Sequence, residues 1–112
     1  MHQFGGWTYM LASKRNGTLY TGATSDLFRH VSLHRDGMAS HFTRKHEVTA
    51  LVWYEQHSHV QLAMRRRDLI SRWRRKWKLA LIERNNPEWI DLFCVIEALP
   101  TVPEWVQKCA HP

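Results

Sequence analysis

The stretch Trp7-Thr8-Tyr9-Met10-Leu11-Ala12-Ser13-Lys14-Arg15-Asn16-Gly17-Thr18-Leu19-Tyr20-Thr21-Gly22-Ala23 decides the fold. Two runs rich in aromatic, β-branched and aliphatic residues, Trp7–Ser13 and Thr18–Ala23, flank a polar tetrapeptide ending in Asn16-Gly17. Asn-Gly between two such runs is a strong hairpin signal, because both residues tolerate the positive φ that tight turns demand. Side chains alternate between faces along a strand, so loop length decides which residues share a face. With either a two-residue or a four-residue loop, Tyr20 falls on the face of Tyr9, Leu11 and Ser13. Two tyrosines are therefore expected near each other on one sheet face. Strand tyrosines are usually plain core aromatics, and alternation alone leaves that reading open.

Downstream, Ser25 or Asp26 is placed to cap a helix that runs to Arg35 or Asp36 and stops at Gly37. Its inner stripe, Leu27, His30, Val31 and His34, has helical spacing. A polar loop follows, then a third strand over Val48–Glu55. Ser58 and Gln61 have capping-box spacing for a helix over residues 59–73, which turns Leu62, Ala63, Leu69, Ile70 and Trp73 inward. A further helix over residues 75–84 is expected to bury Trp77, Leu81 and Ile82. Asn86-Pro87 reads as cap and first turn of a short helix through Trp89 and Leu92. The order ββαβαα with three short strands predicts a small α/β sandwich, followed by a C-terminal tail containing Pro100, Pro103 and Trp105.

Charge is distributed unevenly over these elements. The 112 residues carry a formal net charge of +6. Residues 1–13 hold no Asp, Glu, Lys or Arg; residues 14–78 hold 14 Lys+Arg against 5 Asp+Glu, a net of +9; residues 79–112 are net −3. The densest run, Arg65–Lys78, has Asp68 as its single acidic residue and Trp73 and Trp77 set among the cations. A solvated helical face is the bland explanation of such a run, but that face normally carries acidic partners, and here they are missing. Phosphate is the partner this excess predicts. At 44% hydrophobic and 12% aromatic the chain has enough apolar residues for one core. No apolar run reaches the ~20 residues of a membrane helix, and the first residues lack the pattern of a secretory signal. Cys94 and Cys109 match no zinc spacing and read as ordinary thiols, so a reducing cytoplasmic setting is expected. There is no glycine-rich phosphate loop or nucleophile elbow.

Trp7-Thr8-Tyr9, Tyr20-Thr21-Gly22 and a helix beginning Ser25-Asp26-Leu27 and containing His34 together resemble the GIY-YIG nuclease superfamily. The stretches Phe42–Val48 (FTRKHEV), Leu51–Glu55 (LVWYE), Trp73–Lys78 (WRRKWK), Leu81–Glu83 (LIE) and Asn86–Trp89 (NPEW) look like its small single-domain bacterial branch. The likeness covers residues 4–93 as one domain and leaves residues 94–112 as a tail. It implies a three-stranded antiparallel sheet flanked by helices, acting on DNA with one divalent metal, usually magnesium. It also implies that Tyr9 and Tyr20 match the two motif tyrosines that position or deprotonate the attacking water, and that His34 matches a His-or-Tyr position of the helix.

Two further positions depart from the family pattern. His30 stands where the family has a phosphate-steadying arginine, and its neighbour Arg29 points about 100° away around the helix. Arg67 stands where the family has a metal-binding glutamate, with Asp68 one residue on and similarly rotated. Magnesium takes carboxylate oxygens, and Arg67 brings a permanent positive charge instead. His30 lacks a guanidinium's bidentate fork. His30 and His34 at i,i+4 have half of a metal site's spacing, but no third ligand follows, so no metal site is assigned.

The sequence therefore predicts a protein that binds double-stranded DNA through its backbone and shape, on a nuclease scaffold whose catalysis is lost or weak. Tyr9, Tyr20, His30, His34 and Arg67 form the site in this reading. Lys14, Arg15, Arg29, Arg35, Arg44, Lys45, Arg65, Arg66, Arg72, Arg74 and Arg75 flank it. No cofactor is expected unless the site cleaves, in which case Mg²⁺ or another divalent metal is, with Asp68 or Glu55 as its possible ligand. The rival readings are an active metal-dependent endonuclease and a protein-interaction module that does not touch nucleic acid. A protein partner or self-association is expected at the tail. Nucleoid association follows if the protein binds DNA.

Overall fold

The computed structural model describes residues 5–38 and 41–96. Its first strands are β1 (Gly6–Ala12) and β2 (Leu19–Thr24), paired antiparallel with Leu11 opposite Tyr20 and Tyr9 opposite Gly22. The loop has four residues, Lys14–Gly17, closed by Ser13 N–H donating to the Thr18 carbonyl and Gly17 N–H to the Lys14 carbonyl. Asn16, at φ 58°, takes the left-handed conformation rather than Gly17. The expected parity holds, and Tyr20 shares the Tyr9 face.

The third strand, β3 (Ala50–His57), pairs antiparallel with β1, so the sheet order is β2-β1-β3 and β1 is central. All seven residues of β1 are buried. A strand covered on both faces needs apolar or hydrogen-bonded side chains throughout. Thr8 meets that need by donating its hydroxyl to the Ala63 carbonyl at 2.8 Å. A register shift at Met10/Leu11 puts Val52 and Trp53 in the same core. The first core, with Trp7, Tyr9, Leu11, Leu27, Val31, Val48, Leu51 and Ile96, lies on one side of the sheet. The second, with Met10, Ala12, Val52, Trp53, Ile70, Leu81, Ile82 and Trp89, lies on the other. The result is the expected α/β fold, a three-stranded antiparallel sheet flanked by helices.

The helices are α1 (Leu27–Arg35), α2 (His41–His46), α3 (Val60–Ser71), α4 (Arg75–Asn85) and α5 (Phe93–Ile96). Asp26 caps α1 by accepting from Arg29 N–H. At the other end Gly37, at φ +74°, and Met38 donate to the His34 and Leu33 carbonyls, a Schellman closure.

Several local expectations need correction. Residues expected to form a polar loop instead contain α2, whose single turn and a half is set by tertiary contact through the buried Thr43. The capping box at Ser58 is not formed, because His59 occupies the N-cap of α3 without a side-chain bond. Leu62, Leu69 and Trp77 face solvent, because α3 and α4 bury only narrow stripes, Ala63 and Ile70 on one and Leu81 and Ile82 on the other. Asn86 does not start a helix; it terminates α4. Its side-chain amide donates to the Val52 and Ile90 carbonyls while its oxygen accepts Ile90 N–H, so the segment stays a tied loop and α5 begins at Phe93. His57 has a side chain only 18% exposed and lies beside Glu55.

Packing of the first core continues as far as Ile96, with Phe28 stacked on Phe93 at 5.2 Å. The expectations for Pro100, Pro103, Trp105 and Cys109 fall outside the described residues. Cys94 is a free, exposed thiol.

Candidate functional site

The hairpin parity puts the Tyr9 and Tyr20 rings 6.3 Å apart between centroids, and α1 crosses above them. His34, on the inner stripe of α1, lies 5.0 Å from the Tyr20 ring and 5.9 Å from that of Tyr9. His30, one turn earlier, is 5.4 Å from His34 and 6.1 Å from Tyr9. The four rings expected at the site are thus one cluster.

A hydrogen-bonded chain runs through it. The Tyr9 hydroxyl is 3.0 Å from His34 Nε2, and His34 Nδ1 is 3.0 Å from the Thr43 hydroxyl. Both imidazole nitrogens are therefore engaged, which removes His34 as a metal ligand. Tyr9 and His34 are 0% and 1% exposed, so neither touches an incoming ligand. They support the floor of the site, whereas the half-buried Tyr20 and His30 reach its surface. Thr43 and Phe42 are additions from α2. The Phe42 ring is 43% exposed and lies 6.3 Å from Tyr20, forming part of the rim. No periodic signal over Ser40–Glu47 marks these residues, because a six-residue helix exposes most of itself and buries one position.

Gly22 is required by this geometry. A Cβ there would stand 2.5 Å from both Cζ and the hydroxyl oxygen of Tyr9 and 3.0 Å from Tyr20 Cε2. The Tyr9 ring is fully buried and has no room to yield. Gly22→Ala is expected to destabilise the protein by about 2 kcal/mol, the usual range for overpacking a filled core. Urea unfolding that gives an unchanged midpoint would refute this tight approach.

The electrostatics of the cluster keep it neutral. Burial pushes the Tyr9 hydroxyl well above the ordinary phenol range; a charge on Tyr20 acts in the same direction, while Arg67 opposes it. Burial, with His30 adding to it, lowers the His34 pKa to about 4. His30 is also lowered, by burial and then by Arg29, against a smaller opposing effect of Asp26. At neutral pH the site therefore offers a neutral Tyr9 phenol and neutral imidazoles, with the permanent positive charges of Arg67 acting on Tyr9 and of Arg29 on His30. From α3, which packs over β1 and β2, Arg67 is close enough for its charge to act on the Tyr9 hydroxyl.

The carboxylates lie elsewhere. Tyr54 is paired with Tyr9, so the next residue, Glu55, is opposite Thr8 and points to the other face of the sheet. There it accepts Arg66 Nε at 3.0 Å. Asp68 is exposed and accepts Arg67 Nε at 3.0 Å. Among the described residues no group of three His, Cys, Asp or Glu side chains is placed to hold a metal ion.

The expected flanking cations divide into two sets. Arg75 donates to the Asn16 and Gly17 carbonyls at 2.7 and 2.6 Å and pins the hairpin tip. Arg15 bonds the Pro87 carbonyl and faces Glu88 at 3.8 Å. Arg35 is paired with Asp91 at 2.7 Å and lies over Phe93. Arg66 and Arg74 lie over Trp73 and Trp77. Arg44 approaches His41 at 3.4 Å. Lys14, Arg29, Lys45, Arg65 and Arg72 are exposed. Arg29, Arg44 and Lys45 belong to α1 and α2, the helices that surround the tyrosine cluster.

The stretch of chain that forms this hairpin and these helices matches a family model. Residues 5–83 match the GIY-YIG catalytic domain. The chain belongs to the GIY-YIG family. A UPF0213 protein of Streptococcus agalactiae is 34% identical over 73 residues, which are 65% of this chain and 83% of the relative. A UPF0213 protein of Staphylococcus haemolyticus is 32% identical over 77 residues, 69% of this chain and 93% of the relative. No solved structure matches significantly. Among the described residues no helix is long and apolar enough to cross a membrane.

Proposed function

We propose that this GIY-YIG domain binds duplex DNA on its tyrosine face without cutting it. The observation that carries the reading is the charge beside the tyrosines: Arg67 of α3 acts on the Tyr9 hydroxyl, while Glu55 is bonded by Arg66 and Asp68 by Arg67. The family's divalent metal does not fit these residues. Mg²⁺ is held through hard oxygen ligands, chiefly carboxylates, and a guanidinium at that position repels it. A guanidinium does fit a phosphodiester, which it can grip through two parallel hydrogen bonds. His34, with its pKa near 4 and both nitrogens engaged, is also a poor proton acceptor at neutral pH.

In this reading Arg67, Tyr20 and His30 meet one phosphate run. Arg29, Arg44 and Lys45 meet its continuation along α1 and α2. Such contacts position the backbone and do not read bases, so preference comes from DNA shape. The test pairs binding with cleavage. The purified protein is titrated against nicked, branched and plain duplex DNA, then incubated with each in Mg²⁺ or Mn²⁺. Binding with intact products is the expected result. Cleavage that disappears in Tyr20→Phe would establish an active nuclease instead. Absence of any DNA binding at about 50 mM salt would leave a protein-interaction module, because several phosphate contacts give measurable affinity there.

A further inference from the structure

A cleft of about 350 Å³ lies between α3 and α4, lined by Arg66, Trp73, Trp77, Ala80, Leu81 and Arg84. It opens on the side of the second core, away from the tyrosines. The Trp77 side chain is 51% exposed and stands edge-on to Trp73, with ring centroids 6.2 Å apart at 82°. Guanidinium groups attend both indoles: Arg66 is 5.4 Å from the Trp73 ring and Arg74 is 5.6 Å from that of Trp77. Arg66 is neutralised by Glu55, and Glu83 accepts the Trp89 indole N–H. Arg84, in contrast, has no ion pair or hydrogen bond among the described residues, although it lines the cleft.

An exposed indole bordered by an uncompensated guanidinium selects its ligand chemically. An aliphatic peptide would cover Trp77 but would desolvate Arg84 without a counter-charge. A free anion would pair with Arg84 but leave the indole in water. A ligand with a planar π-face and an attached phosphate satisfies both groups. We propose that this cleft holds an unpaired nucleotide of a DNA strand, its base against Trp77 and its phosphate at Arg84. The site does not depend on the duplex reading above. If both hold, the protein engages a junction between duplex and single strand, one on each side of its sheet.

The experiment measures binding of a short single-stranded oligodeoxyadenylate and of a blunt duplex, at about 50 mM salt, to the wild type, Trp77→Ala, Trp77→Phe and Arg84→Gln. Trp77→Ala is expected to weaken single-strand binding about tenfold, with Phe restoring most of it, because one base–aromatic stack is lost and partly regained. Arg84→Gln should weaken it and reduce its log-log salt slope by about one. Duplex binding should stay within about twofold in all three, and far-UV circular dichroism should be unchanged, since Trp77 and Arg84 are surface residues. Single-strand affinity unaffected by Trp77→Ala, or absent from the wild type, overturns the proposal. Free deoxyadenosine monophosphate binding as tightly as the oligomer overturns the assignment to a strand. Single-strand binding without duplex binding would sink the duplex reading and leave this one standing.

Discussion

Acidification from pH 7 to pH 4 is expected to remove up to about 3 kcal/mol of folding stability through His34 alone. Its pKa is about 4 in the folded protein against 6.5 for an ordinary histidine, with burial the main cause. Between these values the unfolded chain binds a proton at this residue and the folded chain does not. Stability therefore increases with pH across this window, is complete above 6.5, and is lost as pH falls toward 4. The figure is an upper value, because a native state that admits water around His34 would recover part of it. His34→Gln, which keeps a hydrogen-bonding group at the position, should flatten the profile while lowering stability at pH 7. Urea midpoints measured at pH 7, 5.5 and 4.5 supply the check. A wild-type midpoint that does not fall with acidification would mean that the Tyr9–His34–Thr43 chain is not buried as described.

Arg67→Glu should weaken duplex binding by more than tenfold at about 100 mM salt. The substitution removes a phosphate partner and adds a repulsive charge, a change of two units at the centre of the proposed surface. With about four phosphate contacts in the wild type, affinity should fall roughly 100-fold between 50 and 200 mM salt. The variant should show a log-log slope smaller by about one. Arg72→Glu, on the exposed end of α3, should give a smaller loss. Equal losses for the two would mean that binding follows overall charge and not the tyrosine face. Tighter binding by Arg67→Glu in metal-free buffer would contradict the proposed role of Arg67 directly.

The position of Glu55 shows how local the deciding information is. Its neighbour Tyr54 pairs with Tyr9, and one step along a strand reverses the face. Glu55 is therefore turned to the face of Thr8, where Arg66 engages it, and does not join the tyrosine cluster. The same alternation brings Gly22 opposite Tyr9, where only a residue without a Cβ leaves room for the ring.

Strand alternation, hairpin chemistry and helix-end signals are short-range, and the sequence by itself determined what depends on them: the β1–β2 pairing, the shared face of Tyr9 and Tyr20, a helix start at Ser25 or Asp26, the Gly37 stop and the stripe that brings His34 inward. The spacing of the motifs also singled out His30 and Arg67, the two positions at which the resemblance implies a departure from the family pattern. Tertiary structure decided the rest, for reasons that no local period carries. α2 has too few residues to be stable alone, and it forms because Thr43 packs beneath it onto His34. Trp77 has the spacing of a core residue, yet the second core is filled by Leu81, Ile82 and Trp89, which leaves its ring in solvent beside Arg84. Arg15 and Arg75 read as phosphate contacts in the linear charge run, but the fold closes them onto the Pro87 carbonyl and the hairpin tip. Which cations remain available to a ligand depends on long-range partners, and only the folded chain brings those partners into reach.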